Sequence, residues 1–420
     1  MFYFNSVFKK IHPLNKKKII NDPVYGFINI PTDLIFDLVE HRYFQRLRYI
    51  KQLGMTHLVY PGALHTRFHH ALGALHLMGL AVETLRGKGI EISAEEEEAV
   101  EIAILLHDIG HGPFSHALEN TLVKGVSHEM ISRLLMGRLN KEFNGQLEMA
   151  INIFNDTYPR HFLHQLVSGQ LDIDRMDYLN RDSFFTGVSE GVISFDRILK
   201  MLNVRNDHIV VEEKGIYSVE KFLIARRLMY WQVYLHKTVI AAEMLLVKIL
   251  ERGRELALSG EDLFATPALA HFLNKSVLKE AFVMDARHLD AFINLDDTDI
   301  LSAIKVWVNH SDFILSDLCT RFIGRNLYRV EITNMPPALD QTVELKRLVK
   351  QKYNLDDEQA GYYIFTDRVV NDAYKVGDEN IRILLKNGEV QDISDASDNS
   401  NLISLSKRVV KYILCVIKDL

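Results

Sequence analysis

The chain has 420 residues, 48% of them hydrophobic and 25% charged, with a formal net charge of −6. That composition suits a large apolar core and more than one domain, and its mild acidity argues against a protein built to coat nucleic acid. Two cysteines, Cys319 and Cys415, cannot make a disulfide framework, and no run reaches the roughly 18 apolar residues of a membrane span.

The first residues carry too short an apolar stretch before the first lysines for a secretory leader, so a cytoplasmic location is expected. After an N-terminal arm, residues 1–31, apolar residues recur mainly at helical spacing from about residue 32 to 320. His70 opens one such pattern, followed by Ala71, Leu72, Leu75, Met78 and Val82. Ser93 and Glu96 form a capping box, and Glu95–Glu98 sits at the positive end of the helix dipole. Ala99 to Leu106 is nearly all apolar, so this helix is buried and delivers His107 and Asp108 deep into the fold.

The pattern changes near residue 320. Pro336-Pro337 precedes a helical stretch, Tyr362–Phe365 reads as a strand, and Ile381–Leu385 and Val390–Ile393 flank the hairpin dipeptide Asn387-Gly388. A last amphipathic helix is expected over about Leu402–Ile417. The reading is a mainly α protein, a helical domain over 1–320 and a smaller α+β region over 321–420.

Half of the 18 histidines lie between His57 and His128. The string His107-Asp108-Ile109-Gly110-His111-Gly112-Pro113-Phe114-Ser115-His116 is the sharpest signal among them. Neighbouring helical residues project about 100° apart, so an adjacent imidazole and carboxylate can grip one cation. The glycines and Pro113 then break the helix and leave open backbone beside it. Further ligands are sought in His70 and in Asp174, within Leu171-Asp172-Ile173-Asp174-Arg175-Met176-Asp177-Tyr178. A mixed nitrogen and oxygen set suits Mn, Fe, Ni, Zn or Mg, and residue types do not choose among them.

Phe44-Gln45-Arg46-Leu47-Arg48-Tyr49-Ile50-Lys51-Gln52-Leu53-Gly54, Tyr60-Pro61-Gly62-Ala63, Arg67-Phe68 with His70, the HDIGHGPFSH string and Asp172 to Tyr178 occur in order. Together they resemble the HD-domain deoxynucleoside triphosphate triphosphohydrolases, over about Lys18 to Tyr328. The resemblance implies an HD-domain helical core and one divalent ion on His70, His107, Asp108 and Asp174, with additional Mg accompanying the nucleotide. It places His111, His116, Glu119 and His128 in the catalytic group, and Arg67, Arg175 and Arg226 on the triphosphate. It puts Gln52 and Asp182 on the sugar 3′-hydroxyl, Leu53 and Tyr234 against a 2′-hydroxyl, and Tyr178 beside the sugar.

The same resemblance implies a homo-oligomer, dimer or tetramer, with a regulatory nucleotide site on Lys18, Asn21, Gln45, Arg48, Arg325 and Arg329. Three positions depart from the family pattern: His69 replaces an acid, Arg175 a lysine, and Glu40 an aspartate that reads guanine in the regulatory pocket.

The implied reaction is metal-dependent hydrolysis of a dNTP to deoxynucleoside and triphosphate. His111 and His128 are the best proton carriers, because imidazole titrates near ~6.5. Two other readings share the metal site: an HD phosphodiesterase or nucleotidase with another leaving group, and a non-catalytic nucleotide sensor.

Overall fold

The computed structural model describes residues 18–114, 121, 123, 125–275, 277–371, 380–399 and 409–420. The architecture is mainly α, as the apolar spacing predicts. A short hairpin, β1 (Ile19–Asp22) and β2 (Gly26–Asn29), leads into α1 (Asp33–Glu40). The core is built on α2 (Arg67–Gly87), which packs along α3 (Ala94–Leu106) and later along α5 (Ile173–Thr186). Between these in sequence lies α4 (His128–Glu142).

Helix α2 is buried around most of its circumference, from Phe68 through Leu85. Its small residues let neighbours approach closely: a Cβ at Gly73 would strike the Arg181 guanidinium and the Asp177 carboxylate. Helix α3 begins as its sequence dictates, with Ser93 Oγ accepting from the Glu96 N–H at 3.1 Å and Glu96 Oε2 accepting from the Ser93 N–H at 2.9 Å. Such a box contributes about 1 kcal/mol.

Glu101 on α3 is an exception to the helix's apolar burial. It is 4% exposed, and its Oε2 has no hydrogen-bond partner among the described residues. Burial, with Glu97 and Glu98 nearby, pushes its carboxyl up to about 8. Because the folded value lies above the unfolded one, the folded chain binds the extra proton and loses stability as pH rises from about 4.5 to about 8. Glu101→Gln is therefore expected to flatten that decline, which runs at about 1.4 kcal/mol per pH unit for one group. Urea midpoints of both chains at pH 5 and pH 8 measure it, and parallel shifts would refute it.

Past α5 come the strands β3 (Leu202–Arg205) and β4 (His208–Glu212), then α6 (Ile216–Met229) and the long α7 (Lys237–Leu258). Helices α8 (Asp297–Trp307) and α9 (Phe313–Ile323) follow, α9 lying against α7. Beyond them are β5 (Arg329–Thr333), α10 (Leu339–Tyr353), β6 (Ile364–Asn371), β7 (Arg382–Leu384), β8 (Val390–Asp392) and β9 (Val409–Val416). The hairpin around Asn387-Gly388 forms as expected, with Gly388 at φ +89°. Its strand β7 pairs in parallel with β4, so one sheet, ordered β3-β4-β7-β8, joins residues on either side of position 320.

One expectation fails. The helix anticipated over Leu402–Ile417 is, across the described residues 409–416, a strand. Strand β9 runs antiparallel between β5 and β6 and is bonded on both edges. Only Ile413 to Val416 of the strand are fully buried, and so short an apolar run also suits a buried helix. No helix among the described residues is long and apolar enough to cross a membrane.

Candidate functional site

Three elements converge on one point. His70 comes from the first turn of α2, His107 and Asp108 follow α3, and Asp174 lies in the first turn of α5. The α2 start is closed by His69, whose Nδ1 accepts from the Thr66 N–H at 3.2 Å. His70 Nε2 lies 3.1 Å from Asp174 Oδ1 and 3.4 Å from His107 Nε2, and His107 Nε2 lies 3.4 Å from Asp174 Oδ1. Asp108 completes the group, with Oδ1 3.3 Å from His107 Nε2 and Oδ2 3.8 Å from His70 Nε2. With bonds of ~2.1 Å to a shared ion, ligand atoms stand about 3.0–3.4 Å apart at octahedral or tetrahedral angles. The His70, His107 and Asp174 atoms stand at such spacings, whereas Asp108 groups more closely with His111 and His128 and meets the first set only through single contacts to His107 and His70.

Their far sides are anchored. His107 Nδ1 is 2.6 Å from the Ile104 carbonyl, and His70 Nδ1 is 2.7 Å from Asp177 Oδ2, so each ring turns Nε2 to the shared centre. Asp177 in turn accepts from Arg181, which also donates to Asp22 at 2.7 Å. Asp177, Arg181 and Asp22 went unassigned in the sequence, although Asp177 stood inside the aspartate string. The partners are 107 and 159 residues apart, so nothing local announces them.

The electrostatics call for a cation. Burial alone lowers the His70 imidazole, yet Asp174 and Asp177 overcome it and push it up to about 10. Burial raises the Asp174 carboxyl, and His107 and His70 reverse this and hold it well below the usual range. A divalent ion would take the place of the proton these groups share. Asp108 is likewise held low, because His107, His111 and Arg67 outweigh the effect of burial. Burial, with Arg67 next, pushes the His111 imidazole well below its ordinary value, so this ring is neutral.

His111 Nε2 lies 3.2 Å from Asp108 Oδ1, and its ring stacks on His128 at 3.8 Å between centroids. The loop carrying it is pressed onto α4. Gly110 donates to Ser132 Oγ at 2.9 Å, Ser132 Oγ donates to the His107 carbonyl, and a Cβ at Gly110 would strike the His128 carbonyl and Ser132. Gly110→Ala is expected to destabilise the chain by about 1–3 kcal/mol and to separate His111 from His128. Thermal unfolding together with a phosphate-ester hydrolysis assay checks it, and an unchanged midpoint would show that α4 can give way.

A cavity of about 470 Å³ opens beside the metal group. It is lined by Asp108, His111, His128 and Asp174, and also by Gln52, Leu53, Arg67, Arg175, Tyr178, Asp182 and Tyr234. Two of its buried polar atoms, Gln52 Oε1 and Arg175 Nε, have no partner among the described residues. Arg67 pairs with Asp108 and Arg175 with Asp172, both in close contact. Tyr234 Oη donates to Asp182 Oδ2 at 2.8 Å.

Arg226 is outside the lining, near Tyr178, and its buried Nε has no partner among the described residues. His116 and Glu119 lie outside the described residues. Of the regulatory set, Lys18 sits over the Phe36 ring, and Asn21 is in β1. Gln45 donates to the Val39 carbonyl, and Arg48 stacks on Phe68 at 3.6 Å. Arg325 donates to the Leu58 carbonyl, and Arg329 faces Glu331.

The HD domain family model matches residues 67–182, the stretch that contains His70, His107, Asp108 and Asp174, and the HD associated region matches 193–264. A Bacillus subtilis relative, the uncharacterized protein YwfO, is 36% identical, covering 97% of this chain and 94% of its own length. The Dictyostelium discoideum deoxynucleoside triphosphate triphosphohydrolase SAMHD1 homolog is 33% identical over 54% of this chain and 48% of its own length. Among solved structures, a phosphohydrolase from Bacteroides thetaiotaomicron superposes with a TM-score of 0.93 at 53% identity, covering 96% of this chain and all of that one. These likenesses and the ligand geometry make the chain a metal-dependent phosphohydrolase belonging to the HD-domain family of deoxynucleoside triphosphate triphosphohydrolase-like proteins.

Proposed function

We propose that the chain hydrolyses deoxynucleoside triphosphates to deoxynucleoside and intact triphosphate. The observation supporting this reading is the cavity lined together by Asp108, Asp174, Arg67, Arg175, Gln52, Leu53, Asp182 and Tyr234, the residues to which the reading gives metal, phosphate and sugar contacts. The relatives named as deoxynucleoside triphosphate triphosphohydrolases support it.

A bound divalent ion supplies an acidified water, its pKa drawn from ~16 toward ~7, and a Lewis acid for the phosphoryl oxygen. Arg67 and Arg175 bind the polyanion with planar bidentate donors, and Arg226, near Tyr178, adds positive charge. His111, neutral at the outset, holds a place where a proton can be received, and His128 stacked on it is the partner for passing one to the leaving oxygen. Leu53 and Tyr234 close the sugar pocket against a 2′-hydroxyl, which would overlap the wall and leave its hydrogen bonds unmade.

Purified protein with Mn or Mg, incubated with dGTP and with GTP, tests the reaction. Ion-exchange chromatography is expected to resolve deoxyguanosine and triphosphate from dGTP and little product from GTP. Orthophosphate or pyrophosphate without triphosphate would overturn it in favour of another HD phosphohydrolase activity. We further propose a homo-oligomer whose regulatory nucleotide binds at Lys18, Asn21, Gln45, Arg48, Arg325 and Arg329. Size-exclusion chromatography with and without dGTP tests that, and a monomer in both conditions would remove it.

A further inference from the structure

Asp182 is 1% exposed, and each of its oxygens already has a partner. Tyr234 donates to Oδ2, and His65 Nε2 lies 2.7 Å from Oδ1. A carboxylate only accepts, so His65 donates through Nε2. The imidazole is itself 2% exposed and stacks on Phe185 at 4.5 Å with the planes 15° apart, which fixes its orientation. Its Nδ1 is buried and has no partner among the described residues.

The backbone of the same residue carries a second tie. The Gln52 N–H donates to the His65 carbonyl at 3.0 Å, beside the bridge between Lys51 and Thr66. His65 thus supports both groups that face the cavity at this point: Gln52 through its main chain and Asp182 through its ring. His65 is absent from the cavity lining.

We infer that His65 is a positioning residue for the sugar 3′-hydroxyl, holding the Asp182 carboxylate so that its remaining lone pairs accept that group. The inference rests on the deoxynucleotide reading above. Without the imidazole, Asp182 keeps one donor and can rotate, and the 3′-hydroxyl loses an oriented, charge-assisted acceptor.

The test compares each of the four dNTPs with its 2′,3′-dideoxy counterpart in wild type, His65→Phe and His65→Gln. Phenylalanine keeps the stack on Phe185 and removes the donor, whereas the glutamine amide can reach as Nε2 does. Wild type is expected to prefer the 3′-hydroxyl substrate in kcat/KM by about 10- to 100-fold. His65→Phe is expected to collapse that preference toward unity by lowering kcat/KM for the dNTP alone, and His65→Gln to restore most of it. A purely structural role would lower both substrates together and leave the ratio unchanged, which would overturn the inference. Should His65→Phe fail to fold, His65→Asn, whose amide falls short of Asp182, carries the same comparison. A wild type that hydrolyses dNTP and dideoxy substrates equally would sink the inference and spare the deoxynucleotide reading, whereas one that hydrolyses neither would sink that reading itself.

Discussion

A chain carrying His107→Ala together with Asp174→Ala is expected to fold, to hold no divalent ion at the centre, and to lose phosphate-ester hydrolysis by at least about a thousandfold, some 4 kcal/mol of barrier. The choice of pair follows from what each ligand does besides binding metal. His70 is wholly buried and tied to Asp177, and Asp108 pairs with Arg67, so replacing either disturbs a buried charge network. His107 and Asp174 have 10% and 27% of their side chains exposed and bond chiefly to the metal group itself. Removing them takes away half of the ligands at little structural cost. Metal content by mass spectrometry, read beside the unfolding midpoint and the hydrolysis rate, decides the matter. Hydrolysis at the wild-type rate in a folded, metal-free double variant would end the assignment of this centre as the reaction site.

The largest effect on stability is expected from Arg181→Met. Arg181 is fully buried and bridges Asp177 to Asp22, linking α5 to the β1–β2 hairpin. Its removal leaves two buried carboxylates without their cation, a loss of about 3–5 kcal/mol for a pair broken from one side. Asp177 is held low because Arg181 and His70 together outweigh its burial, so the change also raises its proton affinity and weakens its grip on His70. The expected result is a lowered urea midpoint and a weaker apparent metal affinity in the same chain. Asp22→Asn in the Arg181→Met background relieves one orphaned charge and is expected to recover part of the stability. Chemical denaturation of the three chains, with metal titration by calorimetry, measures both effects. If the midpoint of Arg181→Met stays within about 0.5 kcal/mol of wild type, water must reach the site and the network is no anchor.

Gly73 makes the same network legible from the opposite helix. A side chain there would run into Arg181 and Asp177, so α2 and α5 can meet around the ion pair only because position 73 has no Cβ. The His70 ring is thereby set by a residue 107 positions away and a glycine three positions on. Neither relation has a local signature.

What the residues determined unaided is whatever is decided within a few positions along the chain. The Ser93–Glu96 box starts α3, Asn387-Gly388 turns β7 into β8, and the HDIGHGPFSH string breaks a buried helix where an imidazole and a carboxylate arrive together. Each depends on local backbone geometry, hydrogen bonding and periodicity. The candidate ligands His70 and Asp174 needed a family resemblance in addition, since by themselves they are a helix-start histidine and a helix-start carboxylate.

Tertiary structure alone decided the rest. An apolar run such as Ile413–Val416 suits a buried helix or a buried strand, and it lies in a strand because β5 and β6 offer hydrogen-bonding edges on both sides. Asp22, His65, Asp177 and Arg181 acquire roles only because burial removes water from their charges and polar atoms. Each must then find a partner, and the partner it finds is set by how distant helices pack.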